Sequence, residues 1–419
     1  MKVEAYENNS QFLLQRDVLR PAFLKCYNAF SALEKLSTYN SFYDNISNFD
    51  NFLIEYRSIT SVLQKSLGSK DHPIYIKYRD QFLIGESCKW LKDSRNEVDH
   101  EHPFNLGKSL TIKVYTPSTA TLVYTRDFDL ENEKPFNSIL QEIKDTLLSF
   151  HQLDVYFSCH FQFTENKKKI DIYPLVKEGV SKMRSFLEAI YNEIKPEDKI
   201  TEELKGKVSK VAFDKLPEDM LFIHDYAYNV KKDSFTRGEI ATICLSNERF
   251  PVKNLQKTSF GNNPFLHFMI SHIMIYNMQK HELMRTFFIL YKDNTCRITS
   301  CTFSVKTTLY RIINKIADEV IRENVKEVYI VSEQYVYPHS KINNFVEKTY
   351  EERVTDLNPK TVLSFYKLKD DMSTTSYIFD SSEIDKKEYV KKTLENKEHV
   401  SIENSFISPI YNAFKERLQ

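Results

Sequence analysis

Between Asn45 and Leu67, Ile46, Phe49, Phe52, Leu53, Tyr56, Ile59 and Leu63 recur every three or four residues, which predicts one amphipathic helix. Phe23, Tyr27, Phe30 and Leu33 repeat the pattern over 22–36, with Pro21 placed to start that helix. A third helix is expected from about Ile74 to Glu97, unbroken into residue 100, with Tyr78, Phe82, Trp90, Leu91 and Val98 as anchors. The period then changes to two. Leu110, Ile112 and Val114 alternate with Thr111, Lys113 and Tyr115, and a Pro117-Ser118 turn leads into a β-rich run at 120–126, which reads as a hairpin. Helix returns over 135–150, a strand is expected at 154–163, and a long helix runs from Pro174 to Ile194 with Val176, Val180, Met183, Leu187 and Ile190 on one side.

Residues 196–219 are rich in charge, with Pro196 and Pro217 near their ends, and are expected to be a linker. Beyond it, β-rich runs at 285–291 and 296–303 flank Lys292-Asp293-Asn294, a hairpin turn. A helix over 306–324 carries Leu309, Ile312, Ile313, Ile316, Val320 and Ile321, followed by strands at 326–332, 361–368 and 374–379. The fold class read from this order is α+β. A helical domain over 1–195 holds a β insertion at about 108–165, and a separate α+β domain spans 220–419.

Composition narrows the chemistry. The seven glycines, at 68, 85, 107, 179, 206, 238 and 261, are nowhere clustered, so neither a P-loop nor a dinucleotide fingerprint can be written. The 58 basic and 58 acidic residues cancel, so any contact with nucleic acid must be local. Six cysteines lack any CxxC spacing, the first residues are polar, and no run of 18 apolar residues occurs. The expectation is a cytoplasmic protein with reduced thiols, no membrane span, no cofactor and no bound metal.

One segment concentrates chemistry: Trp90-Leu-Lys-Asp-Ser-Arg-Asn-Glu-Val-Asp-His-Glu-His-Pro103. Arg95 and His100 are separated by four residues, and Asn96 pairs with His100 at i, i+4 on one helix face. Arginine offers a permanently charged fork for phosphate oxygens, and histidine moves protons near neutral pH. Together they are what metal-free phosphodiester cleavage needs. The sign alternation of Asp93, Arg95, Glu97, Asp99 and Glu101 also suits a solvated helix end, with Arg95 paired to Asp99.

This segment resembles the HEPN family, marked by Arg-x4–6-His with a polar residue after the arginine, near the end of a long helix in an all-α bundle. The matching residues are Arg95, Asn96 and His100. The resemblance implies a homodimeric, metal-independent endoribonuclease, of the kind that serves as a toxin or anti-phage effector. The ribose 2′-hydroxyl attacks the adjacent phosphate, leaving 2′,3′-cyclic phosphate and 5′-hydroxyl ends. His100 would be general acid or base, Arg95 would stabilise the transition state, and Asn96 would hold the histidine or a phosphate. Other members of the family are inactive and act as interaction or scaffold proteins, and that alternative stays open.

Further candidates are His102 and the basic turn Lys167-Lys168-Lys169 as phosphate contacts. His100-Glu101-His102-Pro103 matches the His-x-His-Pro of JAMM metalloproteases, but the aspartate that family needs about ten residues later is absent, the next being Asp127. Cys159 and His160 adjoin on a strand and so face opposite ways. His267 and His272 lie on an aromatic, Met-rich helix suited to packing, and Glu333 ends a strand where it can line a cleft. No catalytic spacing occurs in the second half, which is expected to sense a trigger or bind a regulatory partner.

Overall fold

Local signals in the sequence start the helices. Pro21 lies in the first turn of α1 (Arg20–Glu34), where an absent amide leaves nothing unpaired. Ser41 accepts a hydrogen bond from the Asp44 amide to open α2 (Phe42–Ser66), and Asp171 caps α6 (Ile172–Ile194), the helix after α5 (Phe136–Leu148), through the Tyr173 amide. The computed structural model describes residues 18–38, 40–129, 136–150, 152–165, 170–216, 221–238, 242–245, 249–252, 263–279, 283–338, 347–395 and 405–419. Within them the fold is α+β with two antiparallel sheets.

The first sheet has the order β2 (Leu122–Asp129), β1 (Leu106–Tyr115), β3 (Asp154–Glu165), β5 (Ile223–Asn229), β6 (Ser234–Arg237), with the short β4 (Ile170–Asp171) on β3. The second runs β13 (Thr374–Asp380), β12 (Lys360–Lys369), β11 (Val325–Val336), β9 (Arg285–Tyr291), β10 (Thr295–Thr302), β7 (Thr242–Leu245), with β8 (Phe250–Pro251) on β10. Its hairpin β9–β10 turns through Asn294 at a positive φ of 60°, a conformation asparagine tolerates.

The chain divides into two compact units. The described residues of the first fall within Met1–Thr111, Asp127–Ile143 and His160–Ile223. There α1 packs on α2 and on α7 (Lys199–Lys210), while α3 (Pro73–Phe82) and α4 (Glu86–His100) pack on α6. The second unit comprises Ile112–Arg126, Lys144–Cys159 and His224–Gln419. Two clusters form its core. One centres on α9 (Lys306–Arg322), whose buried stripe Leu309, Ile312, Ile313, Ile316 and Val320 meets Phe287, Ile289, Val328 and Ile330. The other sets α8 (Pro264–Met278) with Phe288, Tyr329, Phe365 and Phe379.

Three expectations are corrected. The helix expected to run unbroken across 74–100 is two helices, α3 and α4, separated at 83–85. Gly85 adopts φ 99°, ψ −179°, a region open essentially to glycine alone, and it redirects the chain. Residues 196–219 are not simply a linker, because 199–210 form α7 with Asp198 as its cap. The Asp198 carboxylate accepts from the Ile200 and Thr201 amides and takes a two-pronged ion pair from Arg20 of α1. The strands expected as an insertion in the first domain share a sheet with β5, which lies beyond residue 219.

Candidate functional site

The site is built on α4. Its buried positions Ser87, Trp90, Leu91 and Ser94 fall at i, i+3, i+4 and i+7, the stripe that faces a core. Trp90 Nε1 donates to Glu165 Oε2 at 2.9 Å, and the Trp90 ring meets Phe104, which also meets Phe49. Leu91 packs so closely on α6 that a Cβ at Gly179 would lie 2.2 Å from its Cδ1. Tyr56 Oη donates to the Gly179 carbonyl at 2.8 Å, closing the same contact. The helix ends at His100, with Pro103 three residues on. Asp50 then accepts from the Phe104 amide at 3.0 Å, although burial raises its carboxyl above the usual range. Trp90 within α4 and Phe104 beyond its end thus pack on each other and anchor the chain on both sides of the last turn.

On the outward side, Lys92, Asn96 and Asp99 lie at i, i+4 and i+7, with Arg95 and His100 flanking them. Arg95 Nη2 forms an ion pair with Asp99 Oδ2 at 2.9 Å, and His100 Nε2 lies 3.6 Å from that same oxygen. Arg95 is three-quarters covered, with 25% of its side chain exposed, whereas His100 is 68% exposed and open to solvent. Arg95 Nε is buried and has no hydrogen-bond partner among the described residues. The structure therefore brings Arg95 and His100 to one carboxylate. It does not bring Asn96 to His100: Asn96 Oδ1 accepts from Arg95 Nη1 at 3.3 Å instead.

The remaining candidates are placed as follows. His102 turns away from Asp99, its Nε2 lying 3.2 Å from Glu97 Oε1 and its Nδ1 2.9 Å from the Pro103 carbonyl. Lys167, Lys168 and Lys169 lie outside the described residues. Cys159 is fully buried, and burial pushes its thiol far above the ordinary value. His272 Nδ1 donates to the Phe268 carbonyl at 2.7 Å, and burial lowers its imidazole below the usual range.

Among the described residues two cavities bear on this chemistry, and the sequence pointed only to Glu333 as lining one of them. One, of about 340 Å³ in the first unit, is lined by Arg57, Arg79 and Lys92 together with Tyr56, Tyr75 and Leu91. Lys92 and Leu91 tie it to α4. The other, of about 320 Å³ in the second unit, is lined by Glu333 with Arg285, Lys306 and several tyrosines. Burial pulls Lys306 down to about 8 and Arg285 below its usual range, a perturbed cluster in the half expected to lack one.

Comparison of the chain with known protein families, curated proteins and solved structures finds no match. Among the described residues, no helix is long and apolar enough to cross a membrane.

Proposed function

We propose that the protein is a metal-independent endoribonuclease of HEPN type, acting as a homodimer on RNA. The observation that carries this reading is the convergence of the Arg95 guanidinium and the exposed His100 imidazole on Asp99 at the end of α4. In the reaction, a base removes the proton of the ribose 2′-hydroxyl, and the 2′-oxygen bonds to the adjacent phosphorus. The P–O5′ bond breaks and an acid returns a proton to the departing 5′-oxygen. His100 of each chain supplies one of these two groups, which is why two copies are needed. Arg95 neutralises the phosphate oxygens as charge builds, with a fork that a lysine lacks. The cations Arg57, Arg79 and Lys92 lie about the upstream part of the same helix. From Lys92 to His100 the helix rises about 12 Å, so a single strand can span both.

The test is incubation of full-length protein with RNA in EDTA, followed by end-group assignment. Wild type is expected to leave 2′,3′-cyclic phosphate and 5′-hydroxyl ends. His100→Ala and Arg95→Ala are expected to lose on the order of 10²–10⁴ in rate, without rescue by Arg95→Lys. Cleavage that survives His100→Ala, or that leaves 3′-hydroxyl ends, refutes the proposal. A second reading, an inactive interaction module of the same family, is favoured by the Arg95–Asp99 ion pair. It requires wild type to leave RNA intact while still self-associating.

A further inference from the structure

The cavity of the second unit gathers two cations, Arg285 and Lys306, that have no ion-pair partner among the described residues, with Glu333 and Asp154 acting on them only from beyond ion-pair distance. Arg285 opens β9 and Lys306 opens α9, and both line the cavity. Arg285 donates only to neutral acceptors, with Nε to Ser332 Oγ at 2.9 Å and Nη2 to the Glu333 carbonyl at 3.2 Å, above the Phe303 ring. Lys306 Nζ sits 4.0 Å from the centroid of the Tyr350 ring. Neither cation has a carboxylate within ion-pair distance among the described residues. The wall's own carboxylate, Glu333, accepts from Tyr276 Oη at 3.3 Å. Half-buried like charges without a directly paired counter-charge are costly, and a bound anion reduces that cost. Tyr335, on the same wall, is 42% exposed and has no hydrogen bond or ring partner among the described residues.

We propose that this cavity binds a small aromatic oxyanion, a phosphate monoester of a planar ring, with Arg285 and Lys306 on the oxyanion and Tyr335 against the ring. The volume of about 320 Å³ lies at the lower end of the range for clefts that hold small molecules, roughly 300–1,000 Å³. It admits one such ligand and excludes a polymer. Two cations match a phosphate monoester, which carries about −1.5 to −2 at neutral pH, better than a carboxylate. The Lys306 ammonium is disfavoured first by burial, then by Arg285 and Arg353, and is supported by Asp154, with the Tyr350 ring beneath it. Anion binding is therefore expected to hold its proton on and to weaken as pH rises through about 8.

The proposal stands on the second unit alone and is tested apart from RNA cleavage. Calorimetric titrations of the full-length protein would use phenyl phosphate, benzoate and inorganic phosphate as probes. Phenyl phosphate is expected to saturate, at least tenfold more tightly than either of the others. Lys306→Met, which keeps the apolar stem, is expected to weaken it tenfold or more and to remove the fall above pH 8. Tyr335→Ala, at an exposed position, is expected to weaken phenyl phosphate several-fold while leaving inorganic phosphate unchanged. Thermal melts of both variants, expected to match wild type, show that lost binding is not lost folding. No saturation by phenyl phosphate, or equal affinity in both variants, overturns the site. Benzoate binding as tightly overturns the phosphate assignment, and inorganic phosphate binding as tightly reduces the site to an adventitious ion only.

Discussion

Replacing Gly179 with alanine tests how α4 is held. In an open helix this change is stabilising by about 1 kcal/mol, because alanine has the better propensity. At 179 the added methyl would meet Leu91 Cδ1 at 2.2 Å, with Leu91 Cγ and Tyr56 Oη each at 3.5 Å. Leu91 is 1% exposed and lines the cavity of about 340 Å³, so any shift of its side chain is directed into that space and breaks its present packing. It must leave its rotamer, or α4 must retreat, and overpacking of this kind costs roughly 1–3 kcal/mol. A retreat also lengthens the buried bond from Tyr56 Oη to the Gly179 carbonyl, a further loss of about 1 kcal/mol. The expected net result for Gly179→Ala is a destabilisation of about 1–3 kcal/mol.

A double-mutant cycle isolates the cause. Leu91→Ala alone is expected to cost about 2–5 kcal/mol by opening a cavity. With Leu91 truncated, the methyl at 179 enters that cavity and the propensity gain reappears. The pair should therefore be less damaging than the sum of the singles by about 2–4 kcal/mol. Urea unfolding of the four proteins measures this. Additive effects, or a Gly179→Ala protein more stable than wild type, would refute close packing of α4 on α6.

Other expectations follow from single positions. Gly85→Ala forces a side chain into φ 99°, ψ −179° and should cost about 1–3 kcal/mol in urea unfolding. Arg184→Met strands Asp214, whose side chain is 5% exposed, and should cost about 3–5 kcal/mol, while the double change with Asp214→Leu should recover most of it. Asp198 is held well below the usual carboxylate range, first by Arg20 and then by Thr201 and two backbone amides. Its contribution is complete above the unfolded value of about 3.9 and is lost as pH falls below it. Urea midpoints should therefore decline more shallowly below pH 4 in Asp198→Asn than in wild type.

What the sequence revealed followed periodicity. The stripe Ile46 to Leu63 became α2, Leu309 to Val320 became α9, and the alternation at 110–115 became β1, because each pattern is local and each apolar face is buried. The break at Gly85 was hidden, since a lone glycine is compatible with a helix until its φ is known. Charge density concealed α7, because the Arg20 that pairs with its N-cap Asp198 comes from far away in the chain. Arg95 and His100 were legible as neighbours on one helix end. Arg285, Lys306, Glu333 and Tyr335 were not legible as one cavity, because only the sheet order that places β9 beside β11 brings them together.

The two readings of α4 differ over one oxygen, Asp99 Oδ2, and magnitudes decide what it does. The ion pair it forms with Arg95 joins side chains that are 25% and 35% exposed, and surface pairs of this kind are worth about 0–1 kcal/mol. A charge-assisted hydrogen bond to a phosphate oxygen is worth about 1.5–3 kcal/mol, and the guanidinium can make two. Exchange of the carboxylate for an RNA phosphate is therefore downhill for Arg95. The same exchange leaves Asp99 Oδ2 beside His100, 3.6 Å from its Nε2. Arg95 Nε, buried and unpartnered, gains nothing from Asp99 as the pair now stands. Under the proposed function, the pairing expected of a solvated helix end is thus a resting arrangement that an RNA phosphate would displace.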